Sequence, residues 1–299
     1  MSSSISSSSA DASITVVIGS NAPPERLASC LEALEPQRDD GVEVRVHEGS
    51  ASPPELRARF PWASYTTSPG ALVPHHWRDG IDAARGDVVA LTIAQMVPAS
   101  DWLDSIRGVL ATHDAAGGAI DPGDGLRPSD WAEFFCRYAP DMRPFEAHDN
   151  PDLPGDNAAF RRTLLEDVRD FTRDGFWEPV ACHELARRGV VLWHTPEIVV
   201  RQGRSAGFGA FCRQRLAHGR LYGHQRGVHF SKTRNAIGVL AAPVVPFLMT
   251  TRVLGRVFAR RRHRFTALLV TPWIVAFNVV WAFAEAEGHV DVLRGRGAA

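Results

Sequence analysis

Glu178 stands in the stretch FWEP, directly after Phe176 and Trp177, and Asp156 stands in PGDN. A carboxylate among aromatic rings loses hydration of its charged form, so its pKa rises toward the range where it accepts a proton from a hydroxyl. His183 and Glu184 follow shortly after Glu178 and are candidates for the same work. Residues 194–226 gather Arg201, Arg204, Arg213, Arg215, His218 and Arg220. Guanidinium groups hold phosphate oxygens in pairs, so this segment is a candidate clamp for a phosphate-bearing substrate. The competing expectation is a basic helix turned toward anionic lipid. One further stretch, Thr92-Ile93-Ala94-Gln95, carries no charge although an apolar strand spills into a loop there.

Such groups need a scaffold that brings distant segments together. SITVVIG (13–19) is a β-branched run followed by PPERLASCLEAL, whose Pro residues and apolar spacing predict a strand, a loop and a helix. VEVRVHEGS (42–50), WASYTT (62–67) and DVVALTI (87–93) predict further strands, with helices over 75–87, 100–113, 161–169 and 178–188. Strands alternating with helices imply an α/β protein with a mostly parallel sheet, where ligands bind at the carboxyl ends of the strands. The loops 19–24, 47–52 and 92–98 are then the functional edge.

A net charge of −1 predicts no general attraction to nucleic acid. Cys30, Cys136, Cys182 and Cys212 form no CxxC pair, which argues against a zinc site and for a reducing compartment. Residues 1–12 read as a disordered Ser-rich tail without the features of a signal peptide.

From Asn235 the character changes. AIGVLAAPVVPFLM (236–249) is apolar and broken by Pro243 and Pro246, and FTALLVTPWIVAFNVVWAFA (265–284) has about the length a membrane span requires. Arg252, Arg256, Arg260, Arg261, Arg262 and Arg264 lie between them. A hairpin with both ends cytosolic would place these arginines outside, against the positive-inside rule. The expectation is therefore of helices lying at or dipping into the cytoplasmic face of the cell membrane. A single span at 265–284 and a buried helix pair are the alternatives. The domains expected are 13–230 and a C-terminal membrane-associating region, 235–299.

In order along the chain, VVIGSNAPPERLASCLEAL, VRVHEGS, GIDAARGDVVAL, VPASDWL, PGDNAAFRR, FWEPVACHELARRG and RQRLAHGR resemble the elements of family 2 glycosyltransferases with the GT-A fold. The resemblance implies inverting transfer of a sugar from a nucleotide-sugar to an acceptor hydroxyl, and the apolar tail adds the expectation of a lipid-linked or surface-glycan acceptor. It implies nucleotide binding by Ser20, Asn21, His47 and Glu48, and donor diphosphate binding by Gln95, Arg201, Arg215, His218 and Arg220. Catalysis falls to Glu178, Asp156, His183 or Glu184, because the family's acidic pair on that helix aligns with Ala181-Cys182. Members hold Mg²⁺ or Mn²⁺ with a D-x-D motif where this chain has Thr92 to Gln95. Hard cations prefer carboxylates, so no divalent cation is expected at this loop. The second reading is a glycosyltransferase-like binding module that has lost catalysis and serves a membrane glycan-assembly complex.

Overall fold

The computed structural model describes residues 12–204 and 207–297, so the expected tail lies outside them except for its last residue. Two compact units emerge. The first comprises the chain up to Asp121 together with Asp141–Gly203, and the second comprises Pro122–Pro140 and everything from Arg204 onward. The basic helix that follows Arg204 groups with the C-terminal helices in this second unit.

In the first unit, β1 (Ile14–Ser20), β2 (Val42–Glu48), β3 (Ala63–Thr67) and β4 (Val88–Ile93) form the expected parallel part of the sheet. Every residue of β1 and β4 is buried, as befits strands covered on both faces. α1 (Pro24–Leu34) buries Leu27, Cys30, Leu31 and Leu34, the spacing of one helical face. α2 (Pro54–Arg59) joins β2 to β3, and α3 (Val73–Ala83) lies on β1. That approach is close enough to require Gly80, where a Cβ would stand 2.2 Å from Val17.

The sheet is mixed rather than mostly parallel. Its order is β3-β2-β1-β4-β8-β6-β9-β5, completed by β5 (Met96–Pro98), β6 (Ala115–Pro122), β8 (Asn157–Arg161) and β9 (Leu192–Gln202), with β7 (His148–Asp149) beside β9. β8 runs antiparallel to both β4 and β6, and β5 runs antiparallel to β9. The strand β6, AAGGAIDP, opens on four Ala and Gly residues and holds a single β-branched residue, Ile120, so it leaves little local signal. α4 (Trp102–Leu110), α6 (Arg162–Asp167) and α7 (Glu178–Arg187) complete this unit.

The second unit is helical: α5 (Pro128–Tyr138), α8 (Phe208–Gly227), α9 (Lys232–Ala241), α10 (Val245–Ala259), α11 (Arg264–Leu269) and α12 (Thr271–Leu293). α8 and α12 meet backbone to backbone. A Cβ on Gly223 would stand 2.1 Å from the Glu285 carbonyl oxygen, and one on Gly288 would stand 2.2 Å from that of Arg220. Phe211 stacks edge-on against Phe277, and Asn278 Nδ2 donates to Thr250 Oγ1 at 3.1 Å, tying α12 to α10. The stretch 265–284 is therefore not one span. It breaks at Val270 between α11 and α12, and the α12 portion buries Ile274, Phe277, Asn278 and Ala282 inside this unit. No single helix among the described residues is long and apolar enough to cross a membrane; α9 and α10 would pass together, but they are bent by 72°.

Candidate functional site at the carboxyl ends of the strands

β1 ends on Ser20, which is buried and whose carbonyl accepts from Gly49 N at 2.9 Å. The next residue, Asn21, donates through Nδ2 to the Ala71 carbonyl at 2.9 Å. That fixes the orientation of the amide, so its Oδ1 accepts from His76 Nε2 at 3.2 Å. Gly49 closes the cluster, since a Cβ there would overlap the Asn21 amide oxygen at 2.1 Å.

His47 and Glu48, adjacent on β2, point to opposite faces. His47 lies under α3, where an added Gly80 Cβ would touch its ring. Burial is the main cause that holds its pKa below the usual imidazole value, reinforced by Arg45 against Asp79. His76 is fully buried and held low first by burial and then by the charge of His47. Both imidazoles are therefore neutral near pH 7. The sequence reading missed His76, which looked like one of two histidines on an ordinary helix.

Glu48 is 2% exposed and already held. Its oxygens accept from Ser52 N at 2.9 Å, from the Ser52 hydroxyl, from Arg57 at 2.5 Å and from Thr67 at 3.3 Å. It organises the β2–β3 end of the edge.

The uncharged window lies in the turn between β4 and β5. Thr92 is fully buried and donates its hydroxyl to the Asp156 carbonyl at 3.0 Å, while its own carbonyl accepts from Trp77 Nε1 at 2.9 Å. Ile93 and Ala94 are buried and apolar. This donor set does not fit Mg²⁺ or Mn²⁺, which require anionic oxygens. Gln95 is half-buried, and its carbonyl accepts from Gly203 N at 2.8 Å.

The Thr92 hydrogen bond brings the PGDN loop to the window. Asp156 is 7% exposed at the start of β8, and Asn157 pairs in register with Thr92. Asn157 itself is structural: its amide donates to the Ala119 and Ile198 carbonyls and accepts from Trp102. Glu178, the first residue of α7, lies against the same loop, since a Cβ on Gly155 would stand 2.6 Å from its Oε1. The structure thus assembles Asp156 and Glu178 beside the window.

It does not assemble the other two catalytic candidates there. His183 is exposed on α7, with Nδ1 on the Pro179 carbonyl and Nε2 3.9 Å from Asp152. Glu184 is buried and pairs with Arg187 at 2.7 Å and Arg188 at 2.8 Å. The hydrogen bonds from those arginines hold its pKa at about 2, far too low for a general base near neutrality.

The expected cations also separate. Arg215, His218 and Arg220 lie on α8 in the second unit. Arg215 is sandwiched 5.1 Å from each of the Phe211 and Trp281 rings. Burial, with the charges of Arg137 and Arg215, keeps His218 neutral. Arg220 donates to Asp291 at 2.8 Å, which raises its own pKa. Engaged in this way, Arg215 and Arg220 stabilise the helical unit. Arg201 remains on the first unit, exposed on β9 opposite Val97. Arg26 in α1, absent from the sequence candidates, joins it: a Cβ on Gly203 would stand 3.9 Å from its guanidinium. Gly203, whose N–H donates to the Gln95 carbonyl, follows β9 directly, so Arg26 lies near the Gln95 turn and Arg201 stands two residues before Gly203 on the strand.

No family model matches the chain, and no curated protein does. Solved structures do. PcManGT, a mannosyltransferase from Pyrobaculum calidifontis solved with GDP-Man and Mn²⁺, superposes with a TM-score of 0.55 at 17% identity, over 96% of this chain and 88% of that one. The chain has the fold of that glycosyltransferase. A mycobacterial protein superposes at 0.49 with 16% identity, over 71% of this chain and 74% of that one. GalNAc-T7, solved with UDP, GalNAc and Mn²⁺, also superposes at 0.49, with 12% identity, over 65% of this chain and 44% of that one.

Proposed function

We propose that the chain transfers a glycosyl group, with inversion, from a nucleoside-diphosphate sugar to a hydroxyl of a lipid-linked or surface-glycan acceptor at the cytoplasmic face of the cell membrane. The observation that carries this reading is the Glu178 side chain lying against Gly155, the residue before Asp156, on a loop that Thr92 ties to the end of β4. The acceptor oxygen attacks the anomeric carbon as the bond to the diphosphate breaks, and the Glu178 carboxylate takes the hydroxyl proton. Asp156 holds the acceptor hydroxyl in line. Arg26 and Arg201 meet the charge that develops on the departing diphosphate, work that guanidinium groups do well. Asn21, exposed after β1 and oriented by His76, contacts the nucleoside, with His47 buried under α3 nearby.

The first experiment is calorimetric binding of UDP, GDP and their sugars to the purified protein, each with and without Mn²⁺. Binding indifferent to Mn²⁺ supports the arginine arrangement. Binding that requires Mn²⁺ overturns it. The engagement of Glu48 and the lack of acids at Thr92 to Gln95 favour one alternative, a binding module without catalysis. Nucleotide binding with no hydrolysis or transfer over a panel of acceptors would establish that alternative.

A further inference from the structure

α10 buries Pro246, Thr250, Val253 and Val257 along one stripe. At 100° per residue, the opposite side of the same helix sorts its residues into two flanks. Phe247 and Phe258, three turns apart, share one flank, and Arg252 and Arg256 share the other; all four are exposed. Leu248 lies between the flanks, 63% exposed. The bend that carries α9 into α10, at Pro243, continues the apolar side with Leu240, 79% exposed. Beyond the arginines, α11 adds Phe265 at 73% and Leu269 at 59%.

Large exposed apolar side chains gathered on one segment mark an interaction surface, because isolated soluble folds rarely leave them contiguous. The charge of the segment identifies what covers it. Residues 236–284 contain no Asp or Glu and carry Arg252, Arg256, Arg260, Arg261, Arg262 and Arg264, in a chain whose net charge is −1. A second copy meeting this face would bring together two segments that carry arginines and no acid. A sheet of anionic headgroups over an acyl phase complements both flanks at once. Aromatic and leucine side chains then enter the acyl boundary, and the long arginine side chains reach the phosphates.

We propose that the α9–α11 segment is an interfacial membrane anchor. The apolar flank of α10, the α9–α10 bend and α11 sink into one leaflet, and Arg252, Arg256 and Arg261 meet anionic headgroups. With a 72° bend between them, α9 and α10 do not form one straight span. This inference rests on the membrane location proposed above and names how the membrane is met; it does not depend on the nucleotide-sugar chemistry.

The test is flotation of the full chain with vesicles of phosphatidylcholine alone or mixed with phosphatidylglycerol, at low and high salt. The native chain is expected to float with the mixed vesicles and weakly with the neutral ones. Arg252→Gln with Arg256→Gln should reduce the partition coefficient about five-fold per arginine at low salt. Phe247→Glu with Leu248→Glu should abolish flotation at either salt, with an unchanged melting temperature because both side chains are exposed. Failure of the native chain to float overturns the proposal. So does a lipid-free dimer that the Phe247→Glu variant converts to monomer, which would make the face a protein interface. UDP and GDP binding measured on the same samples separates loss of the anchor from failure of the nucleotide-sugar reading.

Discussion

The Thr92 hydroxyl donates to the Asp156 carbonyl at 3.0 Å, across strands that run in opposite directions. The loop that lacks acids is thereby tied to a loop that carries one. Thr92→Val keeps the shape and removes the donor. It should cost about 1 kcal/mol of stability, by the net worth of a buried hydrogen bond, and lower turnover by releasing the PGDN loop. Denaturant titration and initial rates check both, and unchanged turnover would mean that the tie does not position Asp156.

Glu178→Gln should lower turnover roughly 10²- to 10⁴-fold, the usual contribution of a general base, with nucleotide affinity preserved. Gly155→Ala should act in the same direction, because the new methyl occupies space held by the Glu178 side chain. Glu184→Gln should leave turnover within a few-fold of native and weaken the fold instead, since its partners are Arg187 and Arg188. Equal losses for Glu178→Gln and Glu184→Gln would remove the assignment.

His47 and His76 set a pH limit. Burial lowers both pKa values in the folded state, while the unfolded chain titrates near pH 6.5. Between those values the unfolded state holds more protons, so stability is full above about pH 6.5 and falls as pH drops toward the folded values. His289, whose pKa is also lowered first by burial, acts in the same direction. Thermal melts from pH 8 to pH 5 should show this decline, and His76→Gln should flatten part of it. A native melting temperature constant across that range would contradict the neutral, buried imidazoles.

Arg26→Gln should weaken UDP or GDP binding about ten-fold, with little effect on the corresponding nucleosides, because a lost charged contact to phosphate is worth 1.5–3 kcal/mol at most. Arg220→Gln should leave nucleotide affinity alone and lower the melting temperature through loss of the Asp291 pair. Nucleoside binding that falls as much as diphosphate binding in Arg26→Gln would place that residue away from the phosphates.

Gly223→Val should disrupt the second unit, since the Glu285 backbone already fills the space a side chain needs. Loss of cooperative unfolding, followed by circular dichroism, is the expected outcome. A native-like melt would show that α8 and α12 move apart at little cost.

In the parallel half of the sheet, β1 and β4 were legible as apolar runs buried on both faces, and β2 as an alternation of valines. The FWEP and PGDN carboxylates were legible as residue types in a plausible setting. β6 and the antiparallel return of β8 were not, because small residues carry no periodicity and pairing is decided between distant segments. The arginines of α8 illustrate the same limit. Their types suit phosphate, yet only packing sets Arg215 between two rings and Arg220 on Asp291. His76 and Arg26 gained candidacy in the opposite way, from neighbours 55 and about 180 residues distant along the chain. Sequence alone determined composition, local periodicity and the absence of acids at Thr92 to Gln95, all properties of adjacent residues. The tertiary structure decided which carboxylate meets that window, which cations stay beside it and which apolar stretch is core, because burial and partnership depend on segments that only folding brings together.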